Sequence, residues 1–255
     1  NKTIYQNAYV RTDSYFDNSP LASSGLPSKN ELELLNVWKD EIPAEVFTET
    51  FAPPITDGSG NDRKNLLKAK EILEKEGWFV ENGKLVKDGK EFKFEFLIVS
   101  PSDEKIALAY QSNLKKLGIT MDVRTVDSSQ YQERLLSYDF DMIKRYWGVS
   151  LSPGNEQQFY WGSEVGQKDG SRNYPGINSP AVDALIEKLI SATNREELTT
   201  AIHALDRVLL WGHYVVPLYH SNKDRIAYWD FFEYPDEIPL YGIVIESWWI
   251  NKDKQ

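Results

Sequence analysis

The sequence has 255 residues, 41% hydrophobic and 27% charged, a balance that supports a packed core in one large or two small domains and argues against wholesale disorder. A net charge of −10 argues against nucleic acid and anionic membrane surfaces, both of which call for a basic patch. The absence of cysteine removes disulfides, thiolate zinc sites and cysteine nucleophiles, and no apolar run approaches the ~18 residues of a membrane span.

Residues 1–60 show little periodicity. Turn-formers punctuate them at NSPLASSGLPS (18–28), EIPAEVF (41–47) and FAPPITDGSGN (51–61), so this segment is expected to wrap over a scaffold supplied by later ones. The pattern sharpens at DRKNLLKAKEILEKE (62–76), where Leu66, Leu67, Ala69, Ile72 and Leu73 recur at helical spacing and Gly77 closes the helix. WFVENGKLVKDGKEFKFEFLIVS then reads as a hairpin punctuated by NG and DG, with Phe92, Phe94, Phe96 and Ile98 alternating along a strand. Ser100-Pro101-Ser102-Asp103 starts a helix with Ser as N-cap and Pro in the first turn. Ile106, Tyr110, Leu114 and Leu117 form its stripe, and Gly118 ends it.

A second strand follows at ITMDVRTV (119–126), with Ile119, Met121 and Val123 on one face. Ser129 and Gln132 fit a capping box for a short helix through Leu135 and Leu136, and FDMIKRYW (140–147) reads as the third strand. Strands alternating with helices through short links predict a parallel α/β sheet, whose binding crevice lies beyond the carboxyl ends of the strands. The stretch MIKRYWGVSLSPGNEQQFYW (142–161) falls at that edge and gathers Tyr146, Trp147, Asn155, Gln157, Gln158, Phe159, Tyr160 and Trp161. Two helices follow at 179–193, with Ser179 and Pro180 at its start, and 194–212, where Asn194 pairs with Glu197. VVPLYH (215–220) reads as an edge strand, because Pro217 removes a ladder donor. The end of the chain, YPDEIPLYGIVIESWWINKDK, is aromatic and extended and is expected to dock on another element.

Reactive chemistry has little to stand on. His203 lies on a helix beside the Ile202 and Leu205 stripe and reads as structural; His213 suits the negative end of that helix's dipole. No HExxH, GxSxG or P-loop pattern occurs. Asp139 and Asp141 flank Phe140 and are either an acid–base pair or a solvated strand start. Trp147 and Trp161 are either core plugs or ligand contacts, but the set of rings and amides as a whole is that of a binder. Lys144 and Arg145 add positive charge for a carboxylate or phosphate, with one of them turned from the cleft if the strand is regular.

KAKEILEKEGWFVENGKLVKDGKEFKFEF, SNLKKLGITMDVRTVDSSQYQERLLSYDFDM, GINSPAVDALIEKLI and ALDRVLLWGHYVVPLYH together resemble family 5 extracellular solute-binding proteins, the peptide, dipeptide and nickel receptors of ABC importers. AYVRTDSYFDNSPLASSGLPSKNELELL is similar to a branch that takes up oligopeptides and the peptide–nucleotide antibiotic microcin C. The resemblance implies an α/β, periplasmic-binding-protein-like (type II) lobe with a central mixed sheet flanked by helices. Members close two lobes on the ligand, so residues 1–240 are expected to form a C-terminal ligand-binding lobe (1–60 wrapping, 61–240 the α/β core). Residues 241–255 would be a tail returning to a missing N-terminal lobe, and the chain a fragment.

The implied function is periplasmic substrate binding for an ABC permease, with an oligopeptide or peptide-conjugate ligand, no catalysis, no metal and no cofactor. The residues expected to bind are Arg145, Tyr146, Trp147, Gly148, Ser150 and Asn155. In oligopeptide-binding members an Asp three residues after the Trp of this strand holds the ligand's amino terminus. Ser150 stands there in this chain, which leaves that charge to another group such as Glu156 and favours modified peptides. A glycan-binding lobe, or a glycoside hydrolase built on Asp139 and Asp141, are the alternatives.

Overall fold

The computed structural model describes residues 2–60, 62–166, 168–239 and 242–254. The first part contains only short elements: α1 (Lys2–Tyr5), β1 (Val10–Arg11), α2 (Lys29–Leu35) and α3 (Glu45–Thr48). The second is the α/β unit: α4 (Arg63–Lys75), β2 (Phe79–Glu81), β3 (Lys84–Lys87), β4 (Lys90–Glu91), β5 (Lys93–Ile98), α5 (Pro101–Lys115), β6 (Thr120–Thr125), α6 (Ser128–Leu136) and β7 (Met142–Ile143). The third carries α7 (Glu156–Trp161), α8 (Pro180–Ile190), α9 (Arg195–Trp211), β8 (Tyr219–His220), β9 (Phe232–Glu233) and β10 (Trp249–Ile250).

β5 is the central strand of a three-stranded parallel sheet in the order β6-β5-β7. Alternation divides its side chains. Phe96 and Ile98 join Met121, Ala107 and Leu114 on one face, while Leu97 packs with Val126, Tyr131 and Leu135 on the other. The hairpin strands β2, β3 and β4 pair antiparallel, and the two pairings adjoin at Phe92. The Phe92 amide donates to Leu85 O at 2.8 Å, and its carbonyl accepts from Thr120 N at 3.0 Å, so parallel and antiparallel ladders meet through one residue.

Most helix starts follow the sequence signals. Asp62, Ser100, Ser179 and Asn194 each accept a hydrogen bond from a first-turn amide. The capping box at Ser129 and Gln132 is corrected: Asp127 is the N-cap of α6 and accepts from Ser129 N and Gln130 N. The third strand is also shorter than 140–147, because pairing stops at Ile143 opposite Leu97. β5 itself ends one residue later, so Lys144 onward has no ladder to join.

Residues 14–31 lie against α9, and two adjacent side chains of that helix hold them there. The Asp206 carboxylate accepts from Ser14 Oγ (2.7 Å), Tyr15 N (2.8 Å), Ser23 N (2.9 Å) and Ser23 Oγ (2.7 Å). Arg207 donates to Glu31 (2.6 Å) and to the carbonyls of Gly25, Ser24 and Leu26. An irregular segment must find partners for its backbone groups once covered, and these charges supply them. Beneath lies the largest core, where α8 and α9 pack with Phe16, Leu21, Leu35, Val46 and Trp161.

The 215–220 strand reduces to β8, paired antiparallel with β1. In the final segment β10 pairs antiparallel with β9, so the end of the chain docks on a strand that precedes it, as expected; Tyr241 lies outside the described residues.

Candidate functional site

The backbone beyond β7 runs along the carboxyl edge of the parallel sheet with no strand partner, and successive side chains diverge. Lys144 turns back toward the sheet. Its ammonium pairs with Asp103 in the first turn of α5 and lies 5.9 Å from the centre of the Tyr219 ring. Burial opposes the Lys144 charge, but the bond to Asp103 outweighs it and holds the ammonium above its usual range. Tyr219 joins Tyr5, oxygen to oxygen at 2.9 Å, and Tyr9, ring to ring at 4.6 Å. Burial and the bond to Tyr219 push the Tyr5 phenol well up, so it stays protonated.

Arg145 turns outward. Its guanidinium lies 4.9 Å from the Tyr174 ring centre and donates to Tyr174 Oη at 3.2 Å. Tyr146 is 87% exposed, with its ring in solvent. Trp147 is half-buried: it packs on Trp161 at 4.9 Å and on Tyr174 at 6.2 Å, and its indole N–H donates to Arg172 O at 3.4 Å. Gly148 is exposed, and a Cβ built there would meet nothing within 4 Å, so the main chain is open to approach. Ser150 is exposed and accepts from Ser152 N at 3.1 Å, shaping its own turn. Asn155 sits at the N-cap of α7, yet its side chain makes no capping bond there.

Arg145, Tyr146, Gly148, Ser150 and Asn155 are thus exposed in the segment that follows β7, with Trp147 half-buried among them. Two other members of the aromatic stretch, Gln157 and Trp161, belong to the interior. Trp161 is 2% exposed and donates to the buried Gln157 at 3.0 Å, so these two anchor the rim from below. Glu156 folds onto its own turn and accepts from Gly154 N at 3.0 and 3.1 Å. It is therefore committed locally instead of reaching for an ammonium.

Asp139 and Asp141 lie before β7, at the opposite end from the rim. Asp139 accepts from Arg134 at 2.8 Å and Asp141 from Glu95 N at 2.8 Å, which are structural tasks. His203 bridges Pro20 O (3.3 Å) and Glu31 (3.6 Å), also a structural task. No group of acids and histidines suited to a metal ion occurs among the described residues. Sequence reasoning passed over Tyr174, Arg172 and the Tyr5–Tyr9–Tyr219 cluster. Their only signal was aromatic or basic character in turns remote from the strand, at RNYPG, QNAYV and PLYH.

A parallel sheet with helices on its faces is the architecture of a type II periplasmic-binding-protein lobe. Two solved structures share it. The oligopeptide-binding protein AppA of Bacillus subtilis, solved with a nonapeptide, superposes with a TM-score of 0.63 at 22% identity, covering 98% of this chain and 44% of that one. A periplasmic oligopeptide-binding protein of Thermotoga maritima, solved with mannohexaose, gives 0.60 at 18% identity, covering 87% and 38%.

This chain belongs to family 5 of the bacterial extracellular solute-binding proteins, whose middle-region model matches residues 1–169. It is 49% identical over 252 residues to the uncharacterized protein y4wM of Sinorhizobium fredii, covering 98% of this chain and 38% of that protein. It is 42% identical over 255 residues to the probable peptide-binding protein YejA of Agrobacterium fabrum, covering 99% and 42%. The peptidoglycan-binding protein YepA of the same organism is 41% identical over 251 residues, covering 98% and 41%. The chain therefore spans about two fifths of the length of these relatives.

Proposed function

We propose that this chain is the C-terminal ligand-binding lobe of a periplasmic receptor that delivers oligopeptides or peptide conjugates to an ABC permease, binding without catalysis. The observation that carries the reading is the rim. Tyr146, Trp147 and Gly148 offer two ring faces and an unshielded main chain, and Ser150 and Asn155 add neutral dipoles. Such a set suits an extended backbone: rings cover apolar side chains, and amide and hydroxyl groups meet peptide dipoles. Arg145 supplies charge at the edge. Residues 1–60 and 61–240 act as one lobe, and the tail from 241 meets a second, N-terminal lobe that supplies the other half of the contacts. The isolated chain then binds far more weakly than the two-lobed receptor.

The test is titration of the two-lobed receptor with a mixture of short peptides and, separately, with oligosaccharides, following Trp fluorescence. Saturable change with peptides alone supports the proposal. A second reading, glycan binding, is favoured by the mannohexaose in the Thermotoga maritima structure and by the peptidoglycan-binding relative. Saturation by oligosaccharides alone would select it.

A further inference from the structure

We propose that Arg145 and Arg172 form an anion subsite on this rim, taking a carboxylate or phosphate that lies beside a flat apolar group of the ligand. The inference rests on the binding reading above and names the chemistry of one end of the ligand.

The chain carries 29 lysines and arginines against 39 acids, and several basic side chains on this sheet and on α9 are paired with acids. Lys144 pairs with Asp103, Arg134 with Glu95 and Asp139, and Arg207 with Glu31. Arg145 and Arg172 break that pattern. Among the described residues, neither has a carboxylate oxygen within 4.0 Å. Each instead lies over a ring, Arg145 at 4.9 Å from the centre of Tyr174 and Arg172 at 5.9 Å from that of Phe159.

Trp147 ties the two together. Its indole N–H donates to the Arg172 carbonyl, and its ring packs against Tyr174, the platform of Arg145. Trp161 fixes Trp147 from the core side. A guanidinium beside a ring is partly covered, and Arg145, which spends one donor on Tyr174 Oη, keeps its remaining donors for a ligand. Weakly hydrated and held in one orientation, it loses little on meeting an anion and suits the paired oxygens of carboxylate or phosphate. The exposed Tyr146 and Phe159 rings would cover an adjacent apolar group. The overall negative charge keeps anions from most of the surface, so two arginines without acid partners mark one place where an anion is welcome.

The test uses four probes: hippurate and its neutral amide, and phenyl phosphate and phenol. Each is titrated into the protein and into an Arg145→Gln/Arg172→Gln variant, following the side-chain Nε–H signals of the two arginines and the Trp147 indole by NMR. The expected result is that the anions move all three signals and bind about tenfold or more tighter than the neutral partners, a preference absent from the variant. The ratio of hippurate to phenyl phosphate identifies which oxyanion fits better. Equal binding of anion and neutral partner by the parent protein overturns the proposal, and that ratio needs no variant. The two proposals separate when peptides with a free carboxyl terminus and their carboxyl-terminal amides are added. If both peptide forms bind alike, the peptide reading stands and the subsite falls. If the small anions bind here and no peptide does, the subsite stands and the peptide reading falls.

Discussion

Trp147 and Trp161 pack with ring centres 4.9 Å apart, yet one forms part of the open rim and the other is 2% exposed in the core. They lie fourteen positions apart in sequence, and α7 brings the second back beneath the first. Their contact joins the candidate site to the α8–α9 core and assigns the two rings different work. Trp161→Ala should cost about 3–5 kcal/mol of stability, the usual range for deleting a buried indole. Trp147→Ala should cost about 1–2 kcal/mol and remove most ligand affinity. Urea denaturation and ligand titration of both variants separate the two effects.

Two glycines make a second contrast. Gly118 has φ +79°, and a Cβ there would stand 2.8 Å from Leu85 N, at the junction of hairpin and parallel sheet. Gly118→Ala should therefore destabilise by about 2–4 kcal/mol. At Gly148 a methyl group meets nothing, so Gly148→Ala should change stability by less than about 0.5 kcal/mol. If a ligand backbone lies against this residue, the same methyl should weaken binding severalfold. Thermal melts and calorimetry read the two outcomes.

The Glu31–Arg207–His203 cluster makes stability depend on pH in two directions. Burial alone would raise the Glu31 carboxyl, but bonds from His203 and Arg207 outweigh it and pull it from 4.5 to about 2. A depressed carboxyl stabilises the fold above its ordinary value, and that stabilisation, on the order of 3 kcal/mol, is lost as pH falls from 4.5 toward 2. His203 is raised above 6.5, chiefly by its bond to Glu31, against the opposing effect of burial. Its contribution is complete below 6.5 and is lost as pH rises through the raised value. Urea midpoints measured across pH should fall on both sides. His203→Gln should remove the alkaline decline and, by taking away a bond that depresses Glu31, soften the acid one, and Glu31→Gln, which leaves Arg207 buried without its partner, should destabilise by about 3 kcal/mol or more at neutral pH.

Asp139 and Asp141 should be dispensable for binding. The Asp139–Arg134 pair is exposed on the acid's side, and such pairs contribute about 1 kcal/mol or less. Asp139→Asn and Asp141→Asn should leave ligand affinity within about twofold of the parent. Glycoside turnover that disappears in Asp141→Asn would contradict a purely binding role.

Much of the fold is legible because local signals agree with tertiary needs. Ser100, Ser179 and Asn194 carry their caps in the sequence, and the alternation at 119–123 and 92–98 places the sheet faces. The misplaced cap at Ser129 has a local cause: Asp127, two residues earlier, accepts from Ser129 N and Gln130 N, starts the helix sooner and leaves Ser129 inside its first turn. The over-long third strand has a tertiary cause. Apolar pattern marks what prefers to be extended, but a ladder also needs a neighbour, and β5 ends at Ile98.

The segment after β7 drew notice by composition and position, and it is mostly exposed. Arg172 and Tyr174 were not, since nothing local in a turn tells which strand end it will face. The role of Asp206 and Arg207 in holding residues 14–31 was equally silent, because a charged pair inside an apolar helix pattern reads as solvent-facing until the segment that covers it is in place.

The most direct measurement is amide hydrogen exchange of the receptor with and without saturating peptide. The account predicts slowed exchange concentrated at residues 145–150 and at the head of α7, with little change between α2 and α9. Protection centred on the shallow depression of about 550 Å³ lined by Asn30, Lys188 and Thr200, with the rim unaltered, would contradict it.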